Sequence, residues 1–139
     1  ETAKLIEENP NTRIFNLVSE KISESLQSKW AENVSVIGVP EKEGYLEWES
    51  VLEVLSKEGI QSVLVEGGSK VLTSVIETGT ADRFMLFIAP KLIGKSQGVP
   101  LFDFQNTLTL DSIPELSNVT TEYLEGDVLI EGTFLRPKQ

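Results

Sequence analysis

An α/β fold with a mostly parallel sheet, finished by an antiparallel hairpin at the C-terminus, is what three features of the chain predict. Apolar, strand-like runs alternate with runs of helical periodicity along most of the 139 residues. Two of those runs, Val63-Leu64-Val65 and Arg83 to Ala89, lack any polar alternation, as do parallel strands covered on both faces. The end of the chain changes character, with two strand-like runs flanking Glu125-Gly126-Asp127.

Taken in order, Glu1 to Asn9 predict a short helix or a loop remnant ending at Asn9-Pro10. Arg13 to Val18 read as a strand. Ser19 is placed to cap a helix in which Ile22, Leu26 and Trp30 follow at i, i+4 and i+8. Val34 to Val39 form a second short strand stopped by Pro40, and Glu41 to Gly44 a charged loop. Trp48, Val51, Leu52 and Leu55 mark one face of the next helix; Gly59 stands where a left-handed residue ends a helix, with Ile60 to make the contact beyond it. After the strand at 63–65, a helix from Ser69 carries Val71, Leu72, Val75 and Ile76 and stops near Gly79. Phe84 to Ile88 make the next strand, Pro90 to Phe104 a loop, and Val119 to Leu124 with Val128 to Leu135 the hairpin.

Composition narrows the chemistry. The length suits a single domain, residues 1–139. With no cysteine and no histidine, thiolate nucleophiles, histidine bases and the usual zinc sites are excluded, and no metal is expected. A formal net charge of −10 argues against nucleic acid or an anionic membrane as partner. No run is long enough to cross a bilayer, and the first residues given lack the basic-then-apolar pattern expected of a signal peptide. The scattered acids Asp103, Asp111 and Glu115 make no metal cluster; Tyr45, Trp48 and Trp30 read as core or rim aromatics, and Asp82-Arg83 as a surface pair.

The chemistry centres on Glu66-Gly67-Gly68-Ser69. A strand that passes through glycines into a helix presents free backbone N–H groups at the positive end of the helix dipole, a natural seat for phosphate or pyrophosphate. A Cβ at the glycines would hold a ligand off the backbone and forbid positive φ. Ser69 reads as the helix cap, and Lys70 as a solvated residue or a charge beside a phosphate. In an α/β sheet ligands bind beyond the carboxyl ends of the strands, which puts Glu66 to Gly68, with Lys91 and Lys95 of the following loop, on the functional edge.

Gly59 to Gly68, followed by Asp82-Arg83-Phe84, Ile88-Ala89-Pro90-Lys91-Leu92-Ile93-Gly94, Pro100-Leu101-Phe102 and Gly126-Asp127-Val128-Leu129, resembles the reductase domain of the bifunctional riboflavin-biosynthesis deaminase/reductase, from about Tyr45 onward. The resemblance implies a dihydrofolate-reductase-like three-layer sandwich and NADPH-dependent reduction of 5-amino-6-(5-phosphoribosylamino)uracil, a phosphoribosyl-pyrimidine, to its ribityl product. It implies that Glu66 contacts the substrate and that Gly67, Gly68, Ser69, Lys70, Val71 and Leu72 hold the cofactor, the turn running on toward Ser74. No catalytic residue is assigned, because hydride chemistry belongs to the nicotinamide. The family's first strand and its zinc deaminase domain are not in the sequence, so a piece of a longer cytoplasmic protein is expected, with the substrate's phosphate-binding residues elsewhere. Edges left by missing strands favour self-association as a homodimer. Two other readings stay open: a non-catalytic assembly module, and a dihydrofolate-reductase relative acting on a pterin.

Overall fold

Ile14–Ser19 form strand β1, each residue half-buried, and Val34–Val39 form β2 beside it in parallel, from Ile14 opposite Val34 to Ser19 opposite Val39. The computed structural model describes residues 4–26, 30–93, 98–105, 109 and 113–135. They fall into two compact units that divide between Val63 and Leu64.

In the first unit a one-turn helix, α1 (Lys4–Glu7), precedes β1, and helix α2 (Glu20–Leu26) connects β1 to β2 in a βαβ arrangement. Asn33 ties the approach to β2 to the α1–β1 loop: its side-chain amide donates to the carbonyls of Asn9 (3.2 Å) and Thr12 (3.1 Å). Val39 is fully buried. A Cβ on Gly38 would stand 2.9 Å from Ser23 Oγ and 3.1 Å from Glu20 Cα, so this glycine lets α2 approach β2 closely. The Glu20–Ser23 side of α2 therefore faces the sheet. The expected Ile22–Leu26–Trp30 stripe does not: Ile22 is 49% exposed, and Trp30 lies at a bend beyond the helix. A serine over a glycine brings the backbones nearer than an isoleucine would allow.

Ser19 ends β1 directly before α2, but its hydroxyl does not cap the helix. Its buried hydroxyl lies within reach of the Glu41 carboxylate without completing a well-formed hydrogen bond. The expected charged loop is a small hairpin, β3 (Glu41–Lys42) with β4 (Tyr45–Leu46), whose turn residues Glu43 and Gly44 have φ of 54° and 84°. Both central residues at positive φ give the turn whose twist suits a hairpin. Helix α3 (Trp48–Lys57) buries Val51 and ends as expected, with Gly59 at φ 83°. The Ile60 N–H donates to Leu55 O (3.0 Å) and the Gly59 N–H to Ser56 O (3.0 Å), the paired bonds of a Schellman motif. Arg13 pairs with Glu58 and stacks over Phe15, 4.8 Å from the ring centre.

The second unit runs from a segment without regular structure through helix α4 (Ser69–Glu77) to a three-stranded antiparallel sheet. Its strands β5 (Arg83–Ile88), β6 (Leu116–Leu124) and β7 (Asp127–Phe134) stand in the order β5-β7-β6. The hairpin turn at Glu125-Gly126 has φ of 50° and 106°. Strand β6 begins three residues earlier than the sequence suggests, because a bulge sets Asn118 and Val119 opposite Gly132. A Cβ on Gly132 would meet Leu116 at 3.1 Å and Val119 at 3.3 Å, so the missing side chain lets the bulge fold over it. Phe84 packs against Phe102 and Phe134 with ring centres 5.9 and 6.0 Å away, and Phe104 joins Phe102 at 5.5 Å.

Two expectations about strands are corrected. Residues 61–68 have no regular structure and pair with no strand among the described residues, and Val63 and Leu64 are 43% and 74% exposed. Composition marks a segment as fit for a sheet, but a strand exists only through a ladder partner. The sheet described is also in three pieces, parallel only between β1 and β2. Strand β5 pairs antiparallel with β7, and its Met85, Phe87 and Ile88 are exposed, so its unbroken apolarity did not signal burial on both faces.

Candidate functional site

The stretch from Glu66 to Leu72 is continuous and open. Glu66, Gly67, Gly68, Lys70 and Val71 are exposed, while Ser69 and Leu72 are half-buried. The N-cap of α4 is Gly68, extended at φ −70° and ψ 166°, and no side chain caps the helix. That corrects the assignment of Ser69, which is the first helical residue. The first intrahelical bonds run from the Val71 N–H (3.0 Å) and the Leu72 N–H (3.2 Å) to Gly68 O. The Ser69 and Lys70 amides precede those bonds and lie at the positive end of the dipole.

The glycines act through space and not through backbone freedom. Neither takes positive φ, contrary to the expectation. A Cβ on Gly67 would make ordinary contact with Val71 at 3.5 Å, and one on Gly68 would meet nothing within 4 Å. The volume beside Gly68 is therefore free for a ligand that approaches the main chain. Such a cradle fits a dinucleotide's pyrophosphate, which needs amide donors, local positive potential and no intervening side chain. Lys70 adds a nearby ammonium on the exposed side.

The opposite face of α4 is fixed. Thr73 and Val75 are buried, and Thr73 Oγ1 accepts the Asp103 N–H at 2.7 Å. At the C-terminal end the Thr78 hydroxyl donates to Ser74 O and Val75 O (both 3.1 Å), and the Thr80 hydroxyl to Val75 O (3.2 Å). Thr73 lies in the part of the turn that the resemblance carries on to Ser74, but its bond to Asp103 has no counterpart in the sequence expectation. Its one signal was a hydroxyl set between Leu72 and Ile76 on an otherwise apolar helix face.

Other sequence candidates separate from this turn. Lys91 is exposed after β5, its amide closing a tight turn on Ala89 O (2.8 Å), while Lys95 and Asp111 lie outside the described residues. Arg83 pairs with Glu131 on the neighbouring strand. Among the described residues no group of three Asp or Glu side chains is placed to hold a metal ion. No helix among them is long and apolar enough to cross a membrane.

A family model described as the RibD C-terminal domain matches residues 2–130, spanning both units. The chain belongs to the RibD C-terminal domain family. A RibD riboflavin biosynthesis protein from Aquifex aeolicus is 32% identical over 120 residues, 86% of this chain and 30% of that protein. The yeast riboflavin biosynthesis reductase Rib7 superposes with a TM-score of 0.71 at 17% identity, covering 95% of this chain and 56% of Rib7. A deaminase/5-amino-6-(5-phosphoribosylamino)uracil reductase from Thermotoga maritima does so at 0.59 with 24% identity, covering 96% and 44%. The α/β fold is therefore that of RibD reductase domains, the dihydrofolate-reductase-like class. The chain spans about a quarter of the first curated RibD relatives, 24% and 23% of their length.

Proposed function

We propose that this RibD-family chain forms the reductase domain of a longer deaminase/reductase in riboflavin biosynthesis, with residues 1–139 acting as one domain. The reaction is NADPH-dependent reduction of 5-amino-6-(5-phosphoribosylamino)uracil to the ribityl product. Family membership supports the reaction class, and the activity of the Thermotoga maritima deaminase/reductase supports the substrate. The observation that carries the reading is the uncapped N-terminus of α4, opening into free space directly after a carboxylate.

In this reading the amides of Gly68, Ser69 and Lys70 hold a cofactor phosphate, with Gly67, Val71 and Leu72 shaping the turn. Bound there, NADPH supplies the hydride that reduces the ring-opened ribose carbon. Glu66 accepts hydrogen bonds from the substrate and fixes its orientation, so the protein's part is placement of two ligands. No nucleic acid or membrane takes part, and the setting is cytoplasmic. In the intact protein, NADPH oxidation should depend on the pyrimidine intermediate. Glu66→Ala should depress turnover and raise the KM for the pyrimidine; unchanged kinetics would contradict the role given to Glu66.

A homodimer belongs to the same proposal, supported by exposed Met85 and Phe87 on one face of β5. Light scattering combined with NADPH titration separates it from a purely structural module: oligomers without cofactor affinity would favour the module.

A further inference from the structure

Thr73 is the buried polar side chain of the described residues, 4% exposed. Hydroxyls on a helix usually turn back to a carbonyl of the preceding turn. Ser74 does so, donating to Val71 O at 2.9 Å, and Thr78 does so toward Ser74 O. Thr73 instead accepts the Asp103 N–H at 2.7 Å, across 30 residues of sequence. Asp103 lies in a segment without regular structure, so its amide has no ladder or helix to satisfy it and depends on that oxygen.

The residues on either side of Asp103 are the aromatic anchors. Phe102 packs on Phe84 of β5, and Phe84 packs on Phe134 of β7. A continuous path of contacts thus runs from α4 through Thr73, Asp103 and Phe102 into the sheet. The C-terminal end of α4 is closed separately by Thr78 and Thr80. Thr73 lies one turn from the open end, about 6 Å of helix rise beyond Ser69.

We propose that Thr73 is a positioning residue for the dinucleotide seat, its hydroxyl fixing the N-terminal half of α4 to the aromatic loop and so aiming the Ser69 and Lys70 amides. The proposal rests on the α4 turn being the cofactor seat. Thr73→Val keeps the side-chain volume and removes the acceptor, whereas Thr73→Ser keeps the acceptor.

In the intact protein Thr73→Val should weaken NADPH binding roughly tenfold, the scale of one lost hydrogen bond to a buried donor. The loss should appear in the KM for NADPH and not in kcat, and Thr73→Ser should restore it. Hydrogen exchange should speed up in the amides of Val71 to Ile76 while β5 stays protected. Wild-type affinity in Thr73→Val, or equal loss in Thr73→Ser, would overturn the proposal. A wild-type protein that binds no NADPH would overturn the seat itself. The exchange data then decide the anchor alone, and unchanged exchange in Thr73→Val would refute it.

Discussion

Gly68 is valuable for what is not beside it. Its φ of −70° and ψ of 166° suit any residue, and a Cβ there would touch nothing within 4 Å. Gly68→Val should therefore leave stability within about 0.5 kcal/mol, as for an ordinary surface change, while NADPH affinity falls at least roughly tenfold because the side chain fills the approach to the amides. Paired thermal melts and cofactor titrations check this; a large drop in melting temperature would mean that the glycine serves packing instead. At Glu41 the Ser19 hydroxyl and the Lys21 ammonium, 3.5 Å away, hold the carboxyl below its ordinary value of 4.5. Stability from a depressed carboxyl is present above the unfolded value and disappears as pH falls through the folded one. Urea melts of wild type and Glu41→Gln should differ at pH 6 and converge once the pH has fallen through the lowered folded value, and a gap that persists in strong acid would contradict this cause.

Among the elements, those with local punctuation were legible and those that depend on remote partners were not. Helix α3 ends where Gly59 and Ile60 place it, and the β6–β7 turn falls on Glu125-Gly126. The same Glu-Gly pair at 43–44 makes a hairpin where the sequence predicts a loop, because its two-residue strands carry no alternation. The packing face of α2 was misjudged because Gly38, on another element, decides which side can come close. Gly38→Val would drive a side chain into Ser23 and the backbone at Glu20, and should cost about 1–3 kcal/mol, the range for overpacking. Equilibrium unfolding measures it, and a neutral result would mean that α2 slides away freely. The 63–65 segment failed as a strand for the complementary reason: its side chains were visible, its hydrogen-bonding partner was not.

For the whole molecule, the turn from Glu66 into α4 could be located from spacing, while its support at Thr73 and Phe102 could not, since that contact joins positions 30 residues apart. The net charge of −10 sets a long-range field against an anionic ligand, and the amides act only at close range. Screening should then help encounter: NADPH association should quicken as salt rises from about 10 to 150 mM and the Debye length contracts from roughly 30 to 8 Å. Stopped-flow fluorescence would show it, and slower association in salt would place enough local positive charge at the seat to dominate the far field.

A ligand held by peptide groups exerts little selection on the letters that carry them. On that reading the seat depends on the bare position 68 and on the helix start, and less on which side chain position 69 carries.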